Sequence, residues 1–327
     1  MTQAFSSSRE RILELLRRHS ADWLSGEHIS RELGLSRTAV WKQIKALRAL
    51  GISIEAQHAR GYRLLEAPDL LFSADVLAGL NSRIIPRSLE LLPATDSTNL
   101  QLRKKAEAGA EEGTVLVADQ QLAGKGRLGR PWASPAGVNL YCSLLLRPHI
   151  PVQQAPQFTF LSAVAVVDAL ESVCSITAEV KWPNDILVGG AKIAGLLNEM
   201  SAETEQINYV VLGIGVNLNM TTDQFPKELN YPATSVLLET GRQVTRRYFL
   251  RELLGRLDFY YCEFLDQGFA PIRQRWEQLC PIINHRVRVN DELIGTVVGL
   301  EADGALRLQL DSGQVERVVA GDVRVVN

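Results

Sequence analysis

Cysteine is scarce in this chain, with four among 327 residues: Cys142, Cys174, Cys262 and Cys280. None forms a C-x-x-C pair, and the five histidines are just as dispersed. That scatter argues against a disulfide framework and against a zinc site, and it fits a reducing cytoplasm. No stretch approaches the roughly 20 apolar residues of a membrane span. The polar start Met1–Glu10 has no signal-peptide core, so neither a membrane nor secretion is expected. G-x-S-x-G, H-E-x-x-H and G-K-S/T are also missing, which sets aside serine hydrolases of the elbow type, zinc proteases and P-loop enzymes.

What is present is a 46% apolar chain, long enough for two or three domains. Its net charge of −2 hides an asymmetry. Residues 1–66 carry 11 Lys+Arg against 7 Asp+Glu, and the remainder carries 24 against 30. A basic module on an acidic body points to an anionic partner for that end only. In "SSSRERILELLRRHS", Ile12, Leu13 and Leu16 fall on one helical face. "SGEHISRELGLSRTAVWKQIKALRALG" follows as two helices, capped by Ser25 and Ser36 and broken at Gly34. Val40, Ile44, Leu47 and Leu50 line the inner side of the second. Arg37, Thr38, Trp41, Lys42, Lys45 and Arg48 make its outer face. For Trp41, packing and nucleic-acid contact stand as equal alternatives. "ISIEA" and "GYRLL" then read as a hairpin with His58 and Arg60 at its tip. Helix-turn-helix plus hairpin plus positive charge is the footprint of a winged DNA-binding module, with a solvated helical bundle as the plain alternative. "LLEAPDLL", with Pro68, reads as the linker out of it.

"GKGRLGR" at 124–130 matches G-x-G-x-x-G. A dinucleotide-binding turn needs a helix directly after the glycines, and Pro131 and Pro135 argue against one. The run instead lies in a long loop between strands Thr114–Asp119 and Asn139–Leu146. Its glycines allow close backbone approach, and Lys125, Arg127 and Arg130 offer charge-assisted donors to an anion. Three more segments draw notice. "VKWPNDILVGGAKIAGLLNEM" reads as an extended run from Val180, a Gly189-Gly190 hairpin turn and a return strand opening at Lys192. Asn184 and Asp185 within it suit either a ligand or a turn. "YVVLGIGVNLNM" is a buried strand whose Gly213 and Gly215 permit close approach of a ligand, ending at Asn217 and Asn219. "ATDSTN" offers Asp96, Ser97 or Thr98 as cap of a helix Asn99–Ala108, and capping alone accounts for Ser97.

Taken together, "DSTN", "QLAGKGRLGRPW", "KWPND", "GGAKIAGLLNE" and "GIGVNLN", in this order after a winged helix, resemble the bacterial biotin protein ligases of the bifunctional ligase–repressor type. The resemblance covers essentially the whole chain. The family pattern usually reads G-R-G-R-x-G-R, whereas here Lys125 stands at the first arginine, which keeps the charge but not a bidentate guanidinium. The resemblance implies an α+β multidomain fold in three parts: a winged helix-turn-helix (1–66), a mixed-sheet α/β catalytic domain related to class II synthetases (67–279) and a C-terminal SH3-like β-barrel (280–327). Alternating residues and turns at Asn290-Asp291, Asp303-Gly304 and Ser312-Gly313 support the barrel independently. Helices are expected at Thr245–Asp266 and Ala270–Leu279, and the barrel itself reads as a structural clamp.

By the same resemblance, biotin and ATP are the substrates, with Mg²⁺ arriving on ATP, and biotinyl-5′-AMP is the intermediate. Ser97, Thr98 and Gln121 belong around the biotin ring and tail. Gly124, Lys125 and Arg127 flank biotin and the phosphate, Arg130 reaches the nucleotide phosphates, Trp132 encloses the nucleotide, and Asn99 and Gly126 are further binding positions. Lys192 is the key lysine, with Asp185 as an aid to the metal or the amine. Asn184 and Asn217 lie on the nucleotide side, with Gly195, Gly213 and Gly215 as further ligand-binding positions. DNA contact falls to Ser36, Arg37, Thr38, Trp41, Lys42, Lys45, His58 and Arg60. The implied partners are the biotin carboxyl carrier subunit of acetyl-CoA carboxylase, operator DNA and a second copy of the chain in an adenylate-induced homodimer. A ligase that has lost operator binding, a ligand sensor without catalysis, and a lipoate or aminoacyl ligase remain the alternatives.

Overall fold

The computed structural model describes residues 8–19, 22–49, 51–66, 69, 71–203, 206–229, 231–290 and 292–326. Leu50, Pro68 and Asp291 lie outside them. The chain divides into two compact units, Met1–Gly79 and Leu80–Asn327.

The first unit runs α1 (Ser8–Arg18), α2 (Gly26–Leu33), α3 (Arg37–Ala49), β1 (Ser53–Gln57), β2 (Gly61–Glu66) and α4 (Ser73–Leu77). Ile12, Leu13, Leu16, Ile29, Val40, Ile44 and Leu47 close its core. The Ser25 hydroxyl accepts the His28 N–H at 3.0 Å and Ser36 accepts that of Ala39 at 3.1 Å, so both expected caps form. The wing has a third member that no sequence pattern suggests. Leu24 exchanges two 2.8 Å backbone hydrogen bonds with Tyr62, which ties the start of α2 to β2. This approach demands glycine at 61. Its φ is +106°, and a Cβ there would lie 2.1 Å from the Leu24 carbonyl oxygen. Arg48 is exposed on the outer face as expected, and its Nε also donates to the Ile54 carbonyl at 2.8 Å, binding α3 to β1.

The second unit is built on a seven-stranded mixed sheet in the order β3-β4-β5-β9-β8-β7-β6. These strands are β3 (Ser88–Leu92), β4 (Thr114–Ala118), β5 (Leu140–Leu146), β6 (Glu179–Lys181), β7 (Asp185–Val188), β8 (Ala191–Glu203) and β9 (Gln206–Val216). Only β3 and β4 run parallel. Every residue of β5 is buried, so both faces of the sheet centre are covered. On one side lies α5 (Thr98–Glu107), with Leu102 and Ala106 against Leu116, Leu145 and Val211. On the other, α6 (Gln157–Cys174) packs on β6–β9 and on α8 (Arg246–Gln267) and α9 (Ala270–Leu279). The short α7 (Val236–Thr240) precedes α8.

Helix α6 corrects the expectation that no stretch nears membrane-span length. Val152–Cys174 is long and apolar enough by composition, yet 67% of the 18-residue stretch that meets that test is buried inside the protein, as befits a helix that is apolar all round. The extended run expected from Val180 is likewise a tight hairpin. β6 and β7 pair Lys181 with Asp185 across a turn at 182–184, and Gly189-Gly190 makes the next turn as expected. The last five strands are β10 (Arg286–Val289), β11 (Leu293–Leu300), β12 (Leu306–Gln309), β13 (Val315–Val318) and β14 (Val323–Val325), antiparallel in the order β13-β12-β11-β10-β14. This small barrel is fastened to the sheet layer by Trp182, whose Nε1 donates to the Gly304 carbonyl at 3.2 Å. Gln157 adds a second tie, donating to Ala302 at 2.6 Å.

Candidate functional site

Two surfaces of chemical interest stand out, one in each unit. In the first, α3 buries Val40, Ile44 and Leu47 and leaves Ser36, Arg37, Thr38, Trp41, Lys42 and Lys45 exposed. Trp41 is 57% exposed, which decides against its packing alternative. The Lys45 ammonium lies 5.6 Å from its ring centroid. Among the described residues, Arg37, Lys42 and Lys45 take part in no ion pair. At the wing tip His58 and Arg60 are both exposed. The Arg60 guanidinium stacks 4.7 Å from the Trp23 ring centroid, with that of Arg63 at 4.9 Å from the same ring. Trp23 therefore organises the cations of the wing, a role no local pattern in "ADWLSG" announces.

The second unit holds a cavity of about 650 Å³. Its floor is polar and uncharged. Gln121 Oε1 accepts from the Thr98 N–H at 2.9 Å and from Thr98 Oγ1 at 3.1 Å, while Gln121 Nε2 donates to Ser134 Oγ at 3.1 Å. The fully buried Ser143 hydroxyl lies 2.7 Å from Thr98 Oγ1 and 2.6 Å from Asn99 Oδ1. Asn99 in turn donates to Glu199 at 2.8 Å. A Cβ at Gly213 would lie 2.4 Å from Asn99 Oδ1, so that glycine makes room for the asparagine.

Capping does not account for Ser97 after all. Its side chain makes no cap hydrogen bond, and it lines the cavity. Asp96 ties the start of α5 instead, accepting from Gln101 Nε2 at 2.8 Å and from the Ser97 N–H at 2.7 Å. The Gln101 hydrogen bond, then the Ser97 one, bring its carboxyl down to about 2 against the opposing effect of burial.

The glycine-rich loop folds back on itself as a hairpin. Gly126 donates to the Arg130 carbonyl at 2.7 Å and Trp132 to that of Gly124 at 2.9 Å. The tip is one 3-10 turn, Arg127–Gly129, and no α-helix follows the glycines. Gly124 is the exception among the expected binding residues: it sits behind the wall, where a Cβ would lie 2.6 Å from the Trp132 carbonyl oxygen. All the others line the cavity.

Arg127 donates to Asn184 Oδ1 at 3.1 Å. Burial lowers its guanidinium below the ordinary arginine range, Asp185 opposes that, and Arg130 adds to it. Lys192 Nζ lies 2.6 Å from Asp185 Oδ1 and 5.3 Å from the Trp132 ring centroid. The indole rests on Gly215 and Gly195, where added Cβ atoms would come within 2.6 and 3.0 Å of it. Its Nε1 is buried with no hydrogen-bond partner. Asn184 and Asn217 are partly spent on the fold, donating to the carbonyls of Leu196 at 2.9 Å and Thr234 at 3.1 Å. Lys125, Arg127, Arg130 and Lys192 thus line the same cavity as the neutral, hydrogen-bonding Ser97, Thr98, Asn99 and Gln121. Such a site takes an elongated ligand, amide-like at one end and anionic toward the other.

The comparisons agree with this geometry. The biotin/lipoate A/B protein ligase family matches residues 91–217, an HTH domain matches 8–63 and the biotin protein ligase C terminal domain matches 282–325. A bifunctional ligase/repressor from Bacillus spizizenii is 37% identical over 98% of this chain and 99% of its own length. The chain belongs to the bifunctional ligase/repressor family. The Escherichia coli ligase/repressor is 30% identical, with 93% of each chain covered. Among solved structures, the Aquifex aeolicus biotin protein ligase in complex with biotin and ATP is 30% identical with a TM-score of 0.63, covering 73% of this chain and 99% of that one.

In this ligase/repressor the cavity wall extends further than the motifs do. Phe225, Pro226 and Leu229 line it, and so do Asn290, Ala320, Gly321 and Asp322 of the barrel. The Asp322 carboxylate accepts the Tyr231 hydroxyl, and the Lys181 ammonium sits 3.8 Å from Asp322 and 4.1 Å from the Tyr231 ring centroid. The barrel is part of the site, not only a clamp. Nothing local to "VVAGDV" signals this, because the partners Tyr231 and Lys181 are far from Asp322 in sequence.

Proposed function

We propose that the chain activates biotin with ATP and transfers it to a lysine of a biotin carboxyl carrier protein. We further propose that the adenylate formed on the way controls binding to operator DNA. The observation that carries the ligase reading is that Lys125, Arg127, Arg130 and Lys192 line one cavity together with Ser97, Thr98 and Gln121. In the first step a carboxylate oxygen of biotin attacks the α-phosphorus, the bond to the β-phosphate oxygen breaks and pyrophosphate leaves. Two anions must meet, so neutralising cations and fixed geometry supply most of the acceleration. Lys192 bridges carboxylate and phosphate, and Lys125, Arg127 and Arg130 hold the phosphates. The Trp132 Nε1 proton, lacking a protein acceptor, is free for the nucleotide.

In the second step the acceptor amine attacks the acyl carbon, AMP leaves and the amine loses a proton. Asp185, freed as Lys192 turns to phosphate, is the nearest carboxylate to take it. Ser97, Thr98, Asn99 and Gln121, with Gly126, surround biotin. Asn184, Gly195, Gly213, Gly215 and Asn217 shape the nucleotide side, and Gly124 lets the loop close. The carboxylates on the cavity wall are Asp185, Glu228 and Asp322, and no group of three metal-ligating side chains exists among the described residues. This set suits a Mg²⁺ held through the nucleotide's phosphates and not in a protein cage. The work is divided as DNA binding in 1–66, catalysis in 67–279 and completion of the cavity in 280–327. The setting is the cytoplasm.

Arg127→Gly is expected to release biotinyl-5′-AMP several-fold faster than the parent, because a half-buried phosphate-directed cation is lost. Filter-binding of labelled adenylate measures it, and an unchanged release rate would remove Arg127 from phosphate retention.

The repressor half rests on the exposed cationic face of α3 and the wing. One winged helix reads few bases, so two copies are needed for a specific site with half-sites on one side of the duplex. If the adenylate favours the dimer and the dimer favours DNA, DNA must tighten the dimer in return. Footprinting on the chain's own promoter, with no ligand, with biotin, and with biotin plus ATP, tests this beside sedimentation of the same samples. Protection and dimer are expected to rise together in the third sample. Identical occupancy and assembly in all three would leave a ligase that is no ligand-controlled repressor.

A further inference from the structure

We infer that Trp41 is a specificity-determining residue that reads the C5-methyl group of a thymine in the major groove. The inference rests on the repressor reading above and adds the chemical group that the protein recognises. Trp41 lies in the middle of α3, 57% exposed, on a face otherwise made of Arg37, Thr38, Lys42 and Lys45. The core stripe Val40, Ile44 and Leu47 is complete without it. An indole on a helix surface leaves a large apolar area in water, and more than half of Trp41 stays exposed with Lys45 over its ring. The surrounding charge states what covers the rest. Three cations on the same face lack an ion-pair partner among the described residues, so the face fits a polyanion.

Within a DNA major groove the apolar feature on a base edge is the thymine methyl. The donors and acceptors beside it suit arginine, lysine and threonine. Arg37 and Thr38 stand one helical turn before Trp41, and Lys45 one turn after it, so all four project from one side of the helix. The Lys45 ammonium 5.6 Å from the ring centroid leaves the rest of the ring open. An indole has no acceptor, and its single N–H cannot tell one base pair from another as an amide can. Its discrimination is therefore one of shape and apolar contact.

The test works without a defined operator sequence. A random duplex library is selected with the full-length protein in the presence of biotin and ATP. The most enriched duplex is then resynthesised with each thymine replaced singly, and in symmetric pairs, by deoxyuridine, which lacks only the methyl. For the parent protein one thymine per half-site is expected to matter. Its loss lowers affinity about fourfold, the scale for one buried methyl, and about fifteenfold when both half-sites are changed. Trp41→Ala is expected to bind more weakly and to show equal affinity for thymine and deoxyuridine there. Trp41→Phe should keep part of the preference. Because Trp41 is exposed, both variants should keep the parent's circular dichroism and melting temperature. A parent protein indifferent to every deoxyuridine, or a Trp41→Ala variant with the parent's preference, overturns the inference and leaves the repressor standing. Failure to enrich any duplex overturns both.

Discussion

Replacing Lys192 by alanine is expected to slow adenylate formation about 10²–10³-fold, the scale for one electrostatic donor aimed at developing charge. The residue opens β8 next to the Gly189-Gly190 turn, with its ammonium 2.6 Å from Asp185 and its side chain one-quarter exposed. Its backbone holds the site together by itself: the N–H donates to Pro232 at 2.8 Å and the carbonyl accepts from Thr234 at 3.0 Å. Alanine keeps both bonds, so the fold should survive and the loss should fall on chemistry. Single-turnover conversion of labelled ATP in the presence of biotin reads the step directly. A folded Lys192→Ala protein that forms adenylate near the parent rate would show that the phosphate is neutralised from the glycine-rich loop alone. Lys192→Arg should recover part of the rate, since charge returns but the compact ammonium does not.

The second large effect is expected in the other unit. Gly61→Val should weaken DNA binding at least about 10²-fold while leaving pyrophosphate exchange within about twofold of the parent. Valine cannot take φ +106° without strain, and its Cβ would meet the Leu24 carbonyl oxygen at 2.1 Å. The two Leu24–Tyr62 hydrogen bonds must then open, each worth about 1 kcal/mol, with strain of about 1–3 kcal/mol added. The wing loses its register, and with it the placement of Arg60 on Trp23. The cavity residues all belong to the other unit, so catalysis has no reason to follow. Anisotropy on a bound duplex at fixed salt, beside exchange kinetics, separates the two. DNA affinity within about threefold of the parent would mean that the wing takes no part in binding.

Much of this architecture is legible in the sequence, and the reasons differ by element. Helices α1–α3 show because apolar period, caps and breaker agree at Ser25, Gly34 and Ser36. The β7–β8 hairpin shows because two glycines force its turn, and β9 shows because its apolar run is long. Helix α6 gives no such signal, because burial on all sides erases the period that marks an amphipathic helix. The site divides along the same line. Arg127, Trp132, Asn184, Asp185 and Lys192 belong to short motifs and can be named from them. Tyr231, Asp322 and the wall at Phe225–Leu229 cannot, because only tertiary packing brings them to the cavity. Ser97 looks like a cap in the sequence, but its hydroxyl makes no cap bond, and the Thr98 N–H that opens α5 donates to the distant Gln121.

The reach of the cavity wall also bears on how the protein comes into being on the ribosome. Ser97 and Asp322 face the same cavity, so its outline is drawn from nearly the whole of the second unit. A nascent chain cannot complete that outline until Asp322 has left the exit tunnel and β14 has paired with β10. The first unit needs nothing beyond residue 79 for its own core. Units fold from the amino end as they emerge, so the first unit can close its core well before the cavity wall is complete. During that interval each new molecule carries a folded amino-terminal unit and an unfinished cavity.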